Sequence, residues 1–540
     1  MILFDELGLA ERSKSNPLKV LHSKLEYSGK EEGISFVGIS NYTLDAAKVN
    51  RALVLSVPDL DQNIEDLINT SQNIVESIES EATERKLKNE KIFEIISKTY
   101  FAYKQELKII KELVVYQNYL KEKYIQKNEK DNNQKNEEEQ KEKSASIHTE
   151  EEKTKTSNDK IINENNTFES IKTEKLFKNL YKKEKKIRID FHGNRDFYYL
   201  IKGIAYKLVS IGETTDKDKV PIIIKYIERN FGGIEYEIDI DFINIPEGMR
   251  EKVNSIKDIL KEYNENYEKE ITKLNSVYLF TQLYNFECIK IDPKSNLIIE
   301  NKLIEEYDLS GSINDNINDN NSRYLLLEIS PTLSTLIYQN IVLKSKLKPV
   351  ELYDGSTFIK DNNKEYRFRK INQIQDDAQK DKLIVIENLN QIHPFLFDLY
   401  NMNYIIKDEN KYVRICLENF NEQLTKINEK FRIIILVDKN FVKKCDLAFL
   451  NRLEKLIVTF DNLLDSNLKN ISKNLINEIN LKKIIGKYKN INYSLEDLLI
   501  NCGDEDIQGL IYYFNNELKK GEEEQDNDEK KKKRQKLKKK

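Results

Sequence analysis

Five short apolar runs between residues 324 and 460 constrain the fold of this chain more than any other feature of its sequence. Polar or amphipathic segments of helical length separate the runs, which read YLLLEI (324–329), PVELY (349–353), KLIVIE (382–387), RIIILV (432–437) and KLIVTF (455–460). Near-continuous apolar runs are typical of strands that are buried on both faces, as in parallel sheets covered by helices. The pattern therefore predicts a parallel, doubly wound α/β sheet.

The first 58 residues contain a shorter set of apolar runs. Residues 1–4, 34–40 and 52–57 are mostly apolar, and this part of the chain is punctuated by Gly8, Gly33, Gly38 and Pro58. We interpret these runs as buried strands with short connections. From residue 61 the apolar residues recur at three- and four-residue spacing, which predicts a change from strands to helices.

Composition excludes several classes of protein. The 540 residues suffice for about three or four domains, and the net charge of −4 argues against a general polyanion binder. No apolar run approaches the roughly 18–20 residues that cross a bilayer, and no secretion leader precedes the first strand, so we expect a cytoplasmic protein. The four cysteines form no CxxC and do not cluster with the four histidines, which argues against a zinc site or a disulfide framework.

Polar segments divide the chain. Residues 126–166 are almost entirely Lys, Glu, Gln, Asn, Ser and Thr, which predicts a disordered insertion, and the polar stretch at 310–322 predicts a linker. The chain ends in KKKKRQKLKKK. This block is interpreted as a solvated tail and no nucleic acid is expected as a partner, although a nuclear signal or an RNA contact remains open.

The predicted division is 1–58 (partial core), 59–125 (helices), 126–166 (disordered insertion), 167–309 (helical lid with a small β element), 310–322 (linker), 323–465 (second core), 466–520 (start of a second lid) and 521–540 (charged tail).

Four polar side chains of the first segment suit nucleotide hydrolysis. Asp5 and Glu6 follow the first apolar run, where one carboxylate can hold Mg²⁺ through water and the other can polarise an attacking water. Asn41 ends the next strand, and Arg51 follows a short helix from which a guanidinium can reach a neighbouring site. Each has a simpler explanation: an acidic helix start, a turn former and a surface cation.

Longer stretches carry a family resemblance. FDELGLAERSKSNPLKVLHSKLEY and GISFVGISNYTLDAAKVNRALVLSVPD resemble the nucleotide-binding core of the mysterin-like giant RING-finger AAA+ ubiquitin ligases. FHGNRDFYYLIK (191–202) and IERNFGG (227–233) resemble the helical lid of that core. RYLLLEISPTLSTL, PVELYDGSTF, LFDLYNMNYI and FLNRLEK resemble the AAA+ module that follows it. The resemblance covers most of residues 1–465, apart from the predicted disordered insertion, and it is specific because these blocks occur in family order.

The resemblance implies P-loop NTPase sheets of the AAA+ type with helical lids, and ATP and Mg²⁺ as cofactors. Asp5 would then be the metal-binding and Glu6 the catalytic residue of a Walker B motif, and Asn41 the sensor of the γ-phosphate. Arg51 would be an arginine finger that acts on the preceding module. Arg195 is either a lid arginine that reaches the phosphates or a partner in a salt bridge at the start of its helix.

The second module departs from this pattern. The loop SPTLST after its first strand lacks the glycines and the lysine that a phosphate-binding loop needs. Glu387 and Asn388 replace the Asp-Glu pair of Walker B, so we expect no ATP hydrolysis here. Arg452 in FLNRLEK is either an arginine finger for the preceding site or a structural arginine that pairs with Glu454 or Asp446.

The motif GxxxxGK[ST] does not occur around any of the sixteen glycines. In an AAA+ sheet of order 5-1-4-3-2, residues 1–58 would supply only strands 3, 4 and 5, so the first module is expected to be incomplete and the chain a fragment, inactive by itself. Ubiquitin-ligase activity would belong to the whole family member. We expect part of an ATPase motor whose partners are nucleotide, neighbouring modules and, by family alone, the ubiquitylation machinery; the alternative is a non-hydrolysing scaffold.

Overall fold

The computed structural model forms two compact units, residues 1–62 and 63–540, which are described separately. The described residues are 2–4, 7, 18, 36–40, 49–50, 52–56, 60–81, 87, 90–142, 171–172, 175–183, 192–233, 235–239, 271–300, 309–330, 333–334, 337–338, 349–355, 358, 363–416, 422–481 and 504–518.

The first unit contains two short parallel strands, β1 (Ile2–Phe4) and β2 (Phe36–Gly38). Their parallel pairing agrees with neighbouring strands 3 and 4 of the predicted sheet. The third predicted strand, residues 52–57, does not form among the described residues 52–56, and Leu53 and Leu55 are 90% and 80% exposed. The prediction is corrected here, since a strand needs a neighbour to pair its backbone groups and no described strand pairs with this run.

Helices make up much of the second unit. In chain order they are α1 (Ile64–Glu81), α2 (Lys91–Glu142), α3 (Lys175–Lys183), α4 (Asn194–Ile211), α5 (Asp216–Phe231), α6 (Ser276–Ile291), α7 (Leu309–Asn318), α8 (Lys364–Ala378), α9 (Phe397–Tyr400), α10 (Lys439–Lys444), α11 (Leu447–Leu450), α12 (Phe460–Leu463), α13 (Ser466–Leu481) and α14 (504–518). None of the described helices is long and apolar enough to cross a membrane.

Helix α2 extends into the segment predicted to be disordered. Residues 126–142 continue the helix, and residues 143–166 lie outside the described part of the chain. The prediction is therefore corrected for residues 126–142. Lys, Glu and Gln have high helix propensity, so they can prolong a helix that the packed residues before them have already nucleated.

The strands described in the second unit form three sheets. They are β3 (Glu235–Asp239), β4 (Ile271–Asn275), β5 (Leu325–Ile329), β6 (Val350–Asp354), β7 (Leu383–Glu387), β8 (Ile405–Lys407), β9 (Asn410–Cys416), β10 (Glu422–Ile427), β11 (Arg432–Val437) and β12 (Glu454–Val458). Five of them form one parallel sheet in the order β12-β5-β11-β7-β6. Numbered along the chain, that order is 5-1-4-3-2, so the predicted AAA+ type of parallel α/β sheet is confirmed.

The five-stranded sheet has an apolar core on each face. Alternate residues of β5 point to opposite sides: Leu326 joins the core beneath α8, and Leu325 and Leu327 join the core beneath α7. Every residue of β5 and of β11 is buried. This double burial explains why the strands appear in the sequence as continuous apolar runs.

Helix α7 occupies the segment that was predicted to be a linker. Leu309, Ile313 and Ile317 follow one another at four-residue spacing, which places them on one face of the helix, and all three are buried against the sheet. The linker prediction is wrong because three apolar residues at this spacing suffice to dock a helix, although the segment between them is polar.

An antiparallel sheet of order β10-β9-β8 lies between β7 and β11 in the sequence. The sequence analysis did not predict it. Val413, Ile415 and Ile427 bury their side chains in the core beneath α8, so the small sheet packs against one face of the larger one.

Candidate functional site

The structure describes the strands beside the predicted hydrolytic residues but not those residues. Asp5, Glu6, Asn41 and Arg51 lie outside the described part of the chain. The Ile39 N–H donates to the Phe4 carbonyl at 2.8 Å, which extends the pairing to the ends of the two strands. Because β1 and β2 are parallel, the chain leaves both strands at the same end of the sheet. The roles of the four residues stay predictions.

At the corresponding end of the five-stranded sheet, where the strands reach their carboxyl ends and a nucleotide would bind, several polar side chains contact one another. Ser334 donates a hydrogen bond to the carboxylate of Glu387, and Asn388 Nδ2 donates to Asp354 Oδ1 at 3.1 Å. Burial raises the pKa of Glu387 above its ordinary value, the Ser334 hydroxyl lowers it and the Asp354 carboxylate raises it. This carboxylate is therefore held by a neighbouring hydroxyl of the same module.

Where it is described, the loop at the position of a phosphate-binding loop consists of serines and buried aliphatic residues. Leu333 and Ile337 are each 1% exposed and pack into the core beneath α7. A triphosphate needs backbone N–H groups that line an open concavity, with a lysine nearby. Buried aliphatic side chains supply neither, so these residues do not fit a bound nucleoside triphosphate.

Arg195 lies at the exposed start of α4 and contacts the residue that follows α9. Its Nη1 donates to Asn401 Oδ1 at 2.6 Å, and Asn401 directly follows α9. The structure thus places this guanidinium against an amide of the sheet domain. Neither of the two predicted contacts, with a phosphate or with a carboxylate at the helix start, is the one observed here.

Arg452 is directed into the protein. The residue is only 5% exposed. Its guanidinium lies 4.2 Å from the centre of the Phe397 ring, and its Nη1 donates to the Ala448 carbonyl. Glu454, one of its predicted partners, pairs with another arginine, as described below. An arginine finger must project from its own module, so that role would require this side chain to leave its stacked position.

Within the described ranges, a cluster of buried charges lies elsewhere, between the helix pair α4–α5 and the five-stranded sheet. Asp196 in the first turn of α4 is 0% exposed and accepts from Arg323 Nη1 at 2.8 Å, with Lys455 Nζ at 3.5 Å. Its other oxygen accepts from the Gly193 N–H at 2.9 Å and so caps the helix. One carboxylate thus joins the start of α4 to the residues at the beginning of two strands.

Arg323 extends this contact in two directions. Its Nη2 donates to Asn230 Oδ1 on α5 at 2.6 Å, and Nη1 also donates to the Asn451 carbonyl at 2.9 Å. The loop before β12 is held from inside as well, since Lys455 Nζ donates to the Leu453 carbonyl at 2.8 Å. The backbone on both sides of Arg452 is therefore positioned by cations of this interface.

A second ion pair lies beside the first. Arg229 on α5 donates to both oxygens of Glu454, at 2.9 and 3.1 Å, and both side chains are 3% exposed. Arg229 also pairs with Asp319 at 3.2 Å, and Asn316 Nδ2 donates to Glu454 at 2.5 Å. This planar, two-bonded geometry is the strongest arrangement of an arginine and a carboxylate.

Arg432 completes the buried polar layer. Its guanidinium donates to the Ser322 carbonyl at 2.8 Å, to the Asn316 side chain at 2.9 Å and to the Arg323 carbonyl at 2.8 Å. Burial lowers its pKa, which neighbouring Tyr324 and Glu454 raise in part. The turn between α7 and β5 is therefore fixed by an arginine that begins another strand.

The pKa values of the charged residues in this interface reflect their exclusion from water. Burial opposes ionisation of Asp196, but Lys455 and Arg323 outweigh it and hold the pKa of the carboxyl below its ordinary value. Burial lowers the pKa of Lys455 to about 8 although Asp196 favours its charged form. Burial also lowers the pKa of neighbouring His192 to about 3, so this imidazole is neutral at pH 7.

Sequence reasoning recognised the motifs of this interface but named only Glu454 among its ion-pair residues, and with a different partner. NRDF, ERNF, SRY and RLEK supply Asp196, Arg229, Arg323, Glu454 and Lys455. The available signal was that single charged residues directly adjoin runs which must be buried, a position where a charge needs a partner. Among the described residues, no group of three or more His, Cys, Asp or Glu could hold a metal ion.

Comparison with known proteins agrees with this architecture. Two family models, both described as RNF213 AAA domain, match residues 1–64 and 314–464. The chain is 22% identical over 484 residues to the human E3 ubiquitin-protein ligase RNF213, and the match covers 88% of this chain and 7% of that protein. The mouse E3 ubiquitin-protein ligase RNF213 is also 22% identical, again over 88% of this chain and 7% of that protein. It is 22% identical to zebrafish rnf213-beta over 84% of this chain and 6% of that protein.

Proposed function

We propose that this chain, as an RNF213-like AAA segment, works as part of an ATPase motor that couples nucleotide turnover at its first module to movement of the second. The expected resemblance to the mysterin-like ligases is confirmed, and the chain spans about 7% of the length of its curated relatives. The motor activity, the cytoplasmic location and any link to the ubiquitylation machinery are proposals that concern the whole protein.

The buried interface between α4–α5 and the five-stranded sheet carries the proposal. If α4 and α5 are the lid of the first module, two buried ion pairs join that lid to the core of the next module. Breaking such pairs in a dry interface is costly, so lid and core would move as one body. A change at the first nucleotide site would then displace the second module.

In this scheme the first module holds the active residues. Asp5 would hold Mg²⁺, Glu6 would polarise the attacking water, and Asn41 would orient it. ATP and Mg²⁺ would supply the γ-phosphoryl group and neutralise its charge. Arg51 would act on the preceding module, while Arg195 would serve the interface through Asn401 and not the phosphates.

The second module would turn over no nucleotide. The Ser334 hydrogen bond to Glu387 and the buried Leu333 and Ile337 support this part of the proposal. Arg452 would act as a finger only in a state in which it leaves the ring of Phe397. The alternative function is a scaffold, in which both modules are retained for architecture or partner binding and neither hydrolyses ATP.

Two matched substitutions in the full-length protein separate these functions. Glu6→Gln should abolish the ATP turnover that depends on this site, because an amide does not polarise the attacking water. Glu387→Gln, which removes the one carboxylate of the corresponding pair in the second module, should leave turnover unchanged. The assay is phosphate release at saturating ATP and Mg²⁺. Unchanged turnover in Glu6→Gln would overturn the catalytic assignment and favour the scaffold, and a loss in Glu387→Gln would contradict the inactive second module.

A further inference from the structure

The guanidinium of Arg452 lies over the ring of Phe397, the first residue of α9. The guanidinium carbon is 4.2 Å from the ring centre, and Nη1 donates to the Ala448 carbonyl at α11. The face of an aromatic ring carries negative charge density, so it attracts a cation that lies over it. The side chain of Arg452 is therefore directed back onto the domain that contains it.

The ring of Phe397 is itself held in place. It packs against the apolar core beneath α8, and its plane lies at 25° to that of Phe449, with 6.4 Å between the two ring centres. Phe449 belongs to α11 and is buried. Because the packed ring cannot follow a moving guanidinium, Arg452 leaves the stack only by breaking the contact between cation and ring.

Two adjacent residues at the start of α4 hold the two segments that meet in this stack. Arg195 donates to Asn401 at 2.6 Å, and Asn401 directly follows α9. Asp196 pairs with Arg323, which also donates to the carbonyl of the residue before Arg452 at 2.9 Å. The ring and the arginine are thus both connected to the first turn of one helix.

Phosphate oxygens compete for an arginine that is held in this way. They accept two parallel charge-assisted hydrogen bonds from a guanidinium, which is a stronger interaction than the contact of a guanidinium with a ring. The stack therefore retains Arg452 while no phosphate lies within its reach. In the proposed motor α4 and the sheet move as one body, so movement of the lid carries the stack with it and does not by itself open the stack.

We propose that Phe397 is a positioning residue that restrains Arg452, and that their stack is an autoinhibitory contact. It holds the guanidinium inside the second module until a phosphate group displaces it. This role rests on the proposed function, in which Arg452 acts as a finger: the ring keeps the finger withdrawn and the phosphate releases it. Arg195 and Asp196 support the contact, because they hold the segments on its two sides.

Chemical labelling of arginine measures the restraint and does not depend on ATP hydrolysis. Phenylglyoxal modifies accessible guanidinium groups, and mass spectrometry of the digested full-length protein gives the rate at each arginine. Phe397→Leu should speed the modification of Arg452 at least about fivefold, because leucine offers no aromatic face. Phe397→Tyr keeps the ring and should react as wild type does. The exposed Arg369 should react equally in every variant.

Phe395→Leu is the matched control. It removes a ring that packs against the same core two residues before Phe397, and it leaves the stack in place. Arg452 should therefore react at the wild-type rate in this variant. Equally fast modification in Phe395→Leu and Phe397→Leu would overturn the proposal, because loosening of the core would then explain the exposure of the arginine.

A second variant tests the restraint without a change in the core. Arg195 is exposed, and Arg195→Ala removes the hydrogen bond that connects Asn401 and α9 to α4. The modification of Arg452 should become at least about twofold faster, as expected for the loss of one hydrogen bond that supports the stack. An unchanged rate would overturn the part that the proposal assigns to α4.

Turnover by the full-length protein tests the inhibitory role. Phe397→Leu should raise phosphate release at saturating ATP at least about twofold, since a finger that is not withdrawn stabilises the transition state more often. The gain should be absent when Arg452→Lys is added, because an ammonium lacks the two-bonded geometry. An unchanged modification rate in Phe397→Leu would overturn the restraint, and faster modification without a gain in turnover would overturn the inhibitory role.

Failure of the proposed function gives a different result. Turnover that is unchanged in Glu6→Gln would refute the motor. The rates of Arg452 modification in Phe397→Leu and Phe397→Tyr would still decide whether the ring restrains the arginine, because labelling needs no hydrolysis.

Discussion

Replacing Asp196 with asparagine tests whether the buried charges hold α4 to the five-stranded sheet. The carboxylate is fully buried and lies 2.8 Å from Arg323 and 3.5 Å from Lys455. Removing one partner of a buried ion pair leaves uncompensated charge and costs about 3–5 kcal/mol. Asparagine keeps an oxygen that can accept from the Gly193 N–H, so little of this cost should come from the helix cap.

A double-mutant cycle isolates the ion pair from the rest of the interface. Arg323→Met removes the guanidinium but keeps an apolar side chain, and it should be destabilising by itself because Asp196 then loses a partner. The double variant should be at least about 2 kcal/mol more stable than the sum of the two single effects predicts. The folded pKa of Asp196 is depressed, so its contribution is present above pH 3.8 and is lost as the pH falls further.

The chain contains no tryptophan, so amide hydrogen exchange and far-UV circular dichroism in urea are suitable measurements. In Asp196→Asn, amides of α4 that exchange by local opening should exchange about a hundredfold faster, which corresponds to roughly 3 kcal/mol. Amides of β6, far from the interface, serve as the internal control. A cost below about 1 kcal/mol, or strictly additive effects in the cycle, would refute the reasoning.

Three further substitutions test other parts of the second unit by urea unfolding. Burial raises the pKa of Glu228 from 4.5 to about 8, so the free energy of unfolding should fall as the pH rises through this window. Glu228→Gln should therefore raise the free energy of unfolding by about 3 kcal/mol at pH 7 and by under about 1 kcal/mol at pH 5. The same substitution at the exposed Glu213 should change it little. Gly233→Ala should cost at least about 2 kcal/mol, since φ is +85° and an added Cβ would overlap the carbonyl of Lys455; wild-type stability would contradict this close approach. Ile313→Ala should cost about 2–5 kcal/mol if α7 is docked, and a negligible loss would restore the linker interpretation.

The parallel α/β character of the five-stranded sheet was accessible from the sequence pattern because local and global signals agree there, whereas its strand order was implied by the family resemblance. The apolar runs of β5 and β11 are buried on both faces, and the segments between the strands are long enough for crossovers. The linker prediction failed for α7 because composition outweighed the spacing of only three apolar residues. The run at 52–57 has strand-like composition, yet a strand exists only where another strand pairs with it.

The candidate sites divide in the same way. The sequence by itself determined that the second module has no phosphate-binding loop, since glycines and a lysine cannot be supplied from elsewhere in the module. Only the tertiary structure decided the partners of the charges: Asp196 meets Arg323 across 127 residues, and Arg229 meets Glu454 across 225. Which charges pair depends on which surfaces the fold brings together and removes from water. No local sequence pattern encodes this arrangement.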